Sequence, residues 1–203
     1  MERVTYDDLD PLVAALRAGQ TVAIPTDTVY GVACAAHLRE SCEWLLRAKG
    51  RSLAQPSAIV AGSVRSATDV VLPELNGAAA DRLRRLLPGP LTLIVPNPGR
   101  RYSWLCGSEP TRIGLRVPVL HPLLAAAIER VPALLLTSAN VAGEPPAVTF
   151  DDLGPVAEIA TVAVDGGACP GGTPSTVVDV TGDDPVIVRE GPVSLDELRA
   201  RLA

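Results

Sequence analysis

Histidine and lysine are nearly absent from this chain of 203 residues, which has His37, His121 and Lys49 against seventeen arginines. Two imidazoles leave little material for histidine-based acid/base or metal chemistry, and each is read as a partly exposed structural residue. Aromatic residues make up 3% of the chain, so base-stacking platforms for single-stranded nucleic acid have few candidates and the core must be aliphatic. Cys34, Cys42, Cys106 and Cys169 show no C-x-x-C spacing, which supports neither a zinc cage nor a disulfide framework; they are read as reduced thiols. The net charge of −5 argues against a surface coated with cations for nucleic acid or anionic lipid. The spellings G-x-x-x-x-G-K-[ST], G-x-G-x-x-G, G-x-S-x-G and H-E-x-x-H are all missing. The opening stretch MERVTYDDLD holds no apolar signal core, and no run approaches the roughly 18 apolar residues of a membrane span, so a cytoplasmic protein without membrane partners is expected.

What is present is enough apolar material, 47% of residues, to build one soluble globular domain over residues 1–203. Asp10, Pro11, Leu12, Val13 and Leu16 spell a capped amphipathic helix stopping near Gly19, followed by a strand, TVAI. The loop PTDTVYG leads to a helix from about Arg39 to Lys49, with Gly50 as its stop. A strand SAIVA, helices near 63–71 and 76–87, strands LTLIV and RIGLRV, a helix after His121 and a strand ALLLT continue an α/β alternation. The segments ATVAV, STVVDV and PVIVR, joined by Gly- and Pro-rich turns, predict antiparallel pairing and hence a mixed sheet. Ser194 and Glu197 form a capping box for a last helix. Residues 96–111, with Arg100, Arg101, Tyr102 and Trp104, are long for a connection and are read as a mobile rim.

Four polar clusters sit at the ends of these elements: PTDTVYG (25–31), KGR (49–51), TSAN (137–140) and PST (174–176). Each alone is ordinary turn chemistry. Together they combine the fixed cations Lys49, Arg51, Arg116 and Arg189 with the hydroxyls and amide of Thr26, Thr28, Ser138, Asn140 and Ser175, at strand ends where α/β folds place ligands. That inventory suits a polyanion with a polar head group, and phosphoryl transfer, in which cations and a metal ion stabilise spreading charge, needs no histidine. The lone lysine is either a helix-terminal cation or a compact charge wanted where a flat guanidinium would not serve.

The four clusters, in this order, resemble the YrdC family of L-threonylcarbamoyladenylate synthases, whose hallmark is K-x-R followed far downstream by S-x-N. Here these are Lys49-Gly50-Arg51 and Ser138-Ala139-Asn140. The likeness continues through PGPLTLIV (88–95), IGLRVP (113–118), TSANVAGEPP (137–146), PSTVVDV (174–180) and VREGP (188–192), nearly the whole chain. It implies an α/β fold: a twisted open mixed sheet with helices on its faces around a basic cavity.

The resemblance further implies an enzyme that joins L-threonine, bicarbonate and ATP, with Mg2+, into threonylcarbamoyl-AMP and releases pyrophosphate. The product feeds tRNA modification, so tRNA is a partner only indirectly, through a downstream threonylcarbamoyl transferase complex. By match to the family, Lys49 and Arg51 are catalytic. Arg51, Gln55, Ser138, Asn140 and Arg189 serve ATP, and Thr28, Arg116 and Ser175 serve threonine. Thr26 and Tyr30 are further lining candidates, and no protein ligand to the metal is assigned. Ser52, Gln55, Val60 and Pro146 depart from common family residues. Two other readings stand beside this one. The first is an adenylating relative acting on another carbamoyl-like acid, and the second an RNA-binding module using the same cavity, against which the net acidity weighs.

Overall fold

The computed structural model describes residues 1–52, 54–141 and 143–203, the side chain of Pro155 excepted. In chain order the elements are β1 (Glu2–Val4), α1 (Asp10–Arg17), β2 (Val22–Ile24), β3 (Gly31–Ala35), α2 (Arg39–Ala48), β4 (Ala58–Val60), α3 (Val64–Ser66), α4 (Gly77–Leu86), β5 (Leu91–Pro96), β6 (Arg112–Arg116), α5 (Pro122–Glu129), β7 (Leu134–Ser138), β8 (Val162–Val164), β9 (Thr176–Asp179), β10 (Val186–Arg189) and α6 (Leu195–Leu202). Among the described residues no helix is long and apolar enough to cross a membrane.

The helix ends follow local chemistry. Gly19 and Gly50 adopt φ of 77° and 62°, the left-handed region that halts α1 and α2. Asp10 does not cap α1 as expected: it is the first helical residue, and its carboxylate accepts from Arg130 Nη1 at 2.6 Å, tying α1 to the end of α5. Ser194 and Glu197 close the expected box over α6, Ser194 Oγ accepting from the Glu197 N–H and the Glu197 carboxylate from the Ser194 N–H. Ser194→Ala is expected to cost about 1 kcal/mol, read as a lower urea midpoint at unchanged slope.

The strands form one mixed open sheet in the order β1-β8-β2-β3-β7-β4-β6-β5-β9-β10. Consecutive residues alternate between two cores, as side chains on a pleated sheet must. Val22, Ile24, Ala33, Ala35, Leu134, Val162 and Val164 join Leu12, Val13 and Leu16 of α1 and Leu124 and Ile128 of α5 on one face. Ala23, Val32, Cys34, Ile59, Leu93, Leu115, Leu135 and Val178 join Leu45 and Leu46 of α2, Leu83 and Leu86 of α4 and Leu198 of α6 on the other.

Two expectations about the last half of the chain need correction. β9 and β10 pair antiparallel as expected, but β8 leaves them and pairs parallel with β1 and β2 at the far side of the sheet. Its VAV core is buried on both faces, which fits an interior parallel position better than a hairpin. Residues 96–111 are not a loose rim. They wrap around Asn97, 1% exposed, whose Nδ2 donates to the carbonyls of Arg101 (2.8 Å) and Pro110 (3.1 Å) while its Oδ1 accepts the Arg101 N–H (3.0 Å). Tyr102, Leu105 and Cys106 bury themselves in the larger core.

Candidate active site

α1 and α5 cover the β8-β2-β3 part of their face, and the continuation of that face over β4, β6, β5 and β9 lines a cavity of about 650 Å3. A volume of that size lies in the range of small-molecule and cofactor sites. Strand parity builds the wall. Ala58 and Val60, Thr92 and Ile94, Arg112, Gly114 and Arg116, and Leu136 and Ser138 face the cavity at steps of two, while Ile59, Leu93, Leu115 and Leu135 between them enter the larger core. Gly114 lies level with both Ala58 and Ile94, and a Cβ there would come within 3.2 Å of Ala58, so the floor stays flat at its centre. Four residue steps along β6 separate Arg112 from Arg116, which places the two guanidinium-bearing positions about 13 Å apart.

At the Arg116 end, the loop between β2 and β3 supplies a tight polar cluster. Arg116, 7% exposed, directs Nη2 to Asp27 Oδ1, to Thr28 Oγ1 at 2.8 Å and to Thr26 Oγ1 at 3.4 Å. Thr26 Oγ1 donates to the Val29 carbonyl at 2.7 Å and lies 3.0 Å from Thr28 Oγ1. Thr26 Oγ1 also receives the Thr28 and Val29 N–H groups at 3.2 and 3.3 Å, and Thr28 Oγ1, which accepts from Arg116, keeps a lone pair for a donor on a ligand. Among the described residues Arg116 Nε is buried without a partner, a defect of about 1–3 kcal/mol, while the guanidinium as a whole reaches the cavity wall.

Thr92, one step along β5 from the Leu93–Leu115 pair, sits beside Arg116; Ser175 Oγ lies 2.9 Å from Thr92 Oγ1, and Arg189 Nη2 donates to the Ser175 carbonyl at 2.6 Å and to Ser175 Oγ at 3.2 Å. Arg51 Nη2 donates to the Pro56 carbonyl at 3.0 Å. Burial pushes the Arg51 guanidinium below its ordinary pKa. It does the same to Arg189, where the charges of Arg116 and Arg51 add to the effect, a sign that the three cations converge. Ser138 Oγ donates to Asn140 Oδ1 at 2.7 Å, and Asn140 Nδ2 donates to the Glu144 carbonyl at 2.7 Å.

Lys49 forms the C-cap of α2, and its ammonium crosses to Asn140, donating to the backbone carbonyl and, at 3.3 Å, to Oδ1. Burial, then the charge of Arg51, pushes its pKa down. A compact tetrahedral ammonium can reach two oxygens of one residue where a planar fork would not fit as well. The lysine therefore latches K-x-R to S-x-N rather than bonding the carbonyls of its own helix.

Of the residues singled out from the sequence, Thr26, Thr28, Arg51, Arg116, Ser138, Ser175 and Arg189 line the one cavity. Lys49, Asn140, Gln55 and Tyr30 do not appear in its wall. Gln55 is exposed, and its N–H bonds the Ser52 carbonyl at 3.0 Å in a local turn. Tyr30 is fully buried; its hydroxyl donates to the Gly167 carbonyl at 2.9 Å and accepts the Gly166 N–H, and burial pushes its pKa up to about 12. Thr92, Arg112 and Glu109 also line the cavity but were not anticipated, although Thr92 and Arg112 share the strand parity of Ile94 and Arg116. Asp27, inside PTDTVYG, was passed over as turn chemistry.

This arrangement has relatives. A sequence profile described as telomere recombination, covering the Sua5, YciO and YrdC proteins, matches residues 14–191. A relative from Mycobacterium tuberculosis is 33% identical across 96% of this chain and 93% of its own length. The threonylcarbamoyl-AMP synthase of Xanthomonas axonopodis pv. citri is 38% identical across 78% of this chain and 86% of that protein. The crystal structure of P. abyssi Sua5 complexed with L-threonine superposes with a TM-score of 0.80 at 27% identity, over 98% of this chain and 59% of that longer one. With its sheet, its K-x-R and S-x-N loops and most of its length accounted for in this way, the chain belongs to the Sua5/YciO/YrdC family.

Proposed function

We propose that this protein is a threonylcarbamoyl-AMP synthase, an enzyme that joins L-threonine, bicarbonate and ATP and releases pyrophosphate. The observation that carries the reading is the meeting of an amino-acid-like subsite, Thr28, Arg116 and Ser175, with the cations Arg51 and Arg189 and the hydroxyl of Ser138 in a single cavity. Relatives sharing most of its length carry the synthase name, and one solved relative holds L-threonine.

The geometry supports a division of labour. The substrate carboxylate would take the Arg116 guanidinium, and the free lone pair of Thr28 would accept from the amino or hydroxyl group of threonine. The amine attacks the carbon of bicarbonate, water leaves, and the resulting carbamate is a second anion that must be held close to ATP. Its oxygen attacks the α-phosphorus in line, the bond to the bridging oxygen breaks, and pyrophosphate departs. Arg51 and Arg189, paired only with neutral carbonyl and hydroxyl oxygens, keep their full charge for the phosphates. The lining includes Arg51, Arg112, Arg116 and Arg189 beside Glu109, with Arg112 and Arg116 each paired to a carboxylate.

Magnesium would enter as a companion of ATP and neutralise its phosphate oxygens. tRNA enters only downstream, when a threonylcarbamoyl transferase consumes the product.

Incubated with ATP, magnesium and bicarbonate, the protein is expected to release pyrophosphate only when L-threonine is added. Release independent of threonine, or none, would remove the assignment.

A further inference from the structure

We propose that Asp27 sorts the two anions of the reaction: it fixes Arg116 at the amino-acid end of the cavity and, by compensating its charge, admits a carboxylate there while turning phosphate away. The inference deepens the synthase reading and rests on it.

The four cavity arginines fall into two kinds. Among the described residues Arg51 and Arg189 have only neutral oxygens as partners. Arg112 and Arg116 are each bound to a carboxylate, Asp179 and Asp27 respectively. The two carboxylate pairs differ in burial. Arg112 is 47% and Asp179 20% exposed, so water and salt screen that pair, whereas Arg116 is 8% and Asp27 10% exposed. In the drier surroundings the compensation of one charge by the other is strong.

Asp27 is itself tied down. Its Oδ2 accepts the Val119 N–H at 3.0 Å, so the carboxylate bridges the loop before β3 and the segment after β6. The bridge engages Arg116 Nη2, which also donates to Thr28 Oγ1 on the cavity wall. A guanidinium so held, bonded through Nη2, keeps N–H donors for a singly charged oxygen group, but little net charge with which to attract a multiply charged phosphate. Asp27 does not line the cavity; it acts through Arg116 and is a positioning residue.

Asp27→Asn removes the charge at constant shape. Initial rates of pyrophosphate release would be measured for the magnesium-supplied wild type and variant, titrating threonine and ATP separately, with inorganic phosphate as inhibitor. In the wild type, phosphate is expected to compete with ATP and not with threonine. In Asp27→Asn the KM for threonine should rise at least about tenfold with KM for ATP nearly unchanged, and phosphate should now compete with threonine. Asp27→Glu should restore phosphate exclusion while leaving threonine binding intermediate.

An Asp27→Asn enzyme with wild-type kinetics, or with both KM values raised together, overturns the inference. So does phosphate competing with threonine in the wild type, a result that stands even if the variant fails to fold. A wild type without threonine-dependent release instead overturns the synthase reading, and this inference with it.

Discussion

Arg116→Ala is expected to raise the KM for L-threonine by about 100- to 1,000-fold, the largest single effect in the cavity wall. Truncating one partner of a buried, hydrogen-bonded charge pair costs about 2–5 kcal/mol, and each 1.4 kcal/mol is roughly a factor of ten. Two losses combine here. The ligand carboxylate loses the guanidinium, and Thr28 loses the N–H its hydroxyl accepts. Stability should fall as well, because Asp27, 10% exposed, is left buried without its cation, a defect of about 3 kcal/mol. Arg116→Lys keeps the charge but not the planar fork and should lie between, closer to Ala in threonine use than in stability. Threonine titrations of pyrophosphate release, beside urea melts of the same variants, separate the two losses. An Arg116→Ala enzyme with unaltered threonine dependence would remove Arg116 from the amino-acid subsite.

The second large effect is expected at Lys49, by a different route. Its ammonium holds Asn140, which in turn receives the Ser138 hydroxyl and bonds the Glu144 carbonyl, so one latch sets both the K-x-R turn and the S-x-N loop. Lys49→Ala and Asn140→Ala should each lower kcat/KM by about 30- to 100-fold, the scale of losing a charged hydrogen bond in a partly buried place. Asn140→Ala keeps the backbone carbonyl that Lys49 holds and removes only the side-chain contact, so the double variant should fall short of additivity by about 1 kcal/mol. Lys49→Arg should keep the fold and lower turnover, since the charge stays but its shape no longer matches two oxygens on one residue. Strict additivity in the double-mutant cycle would show that the contact does not transmit to the cavity. An unaffected rate for Lys49→Arg would return the lysine to a helix-terminal role.

RIGLRV was legible as a strand, and in the structure Arg112, Gly114 and Arg116 face the cavity while Leu115 and Val117 enter the core. Gly19 and Gly50 were legible as helix stops because positive φ is a local demand. β3 was not legible: GVACA is buried on both faces, so the period of two that marks a half-buried strand is missing. β1 is three residues at a sheet edge, too short to carry a pattern. The departure of β8 to the far side of the sheet is a tertiary choice that no turn between residues 164 and 176 announces.

The same division holds in the site. Thr28, Arg116, Ser175 and Arg189 were found because motif order placed them. Thr92 was hidden in an apolar strand. What local patterns could not show were the contacts across long sequence separations, Lys49 to Asn140 over 91 residues and Asp27 to Arg116 over 89. Those contacts decide that the lysine is a latch and the aspartate a clamp.

One measurement bears on the whole account: a crystal structure of the protein with L-threonine and a non-hydrolysable ATP analogue. The account predicts the threonine carboxylate on Arg116, its amino or hydroxyl group on Thr28, and the phosphates between Arg51 and Arg189 in the same cavity. Threonine and nucleotide bound at separate places, or phosphates seated on Arg116, would contradict it.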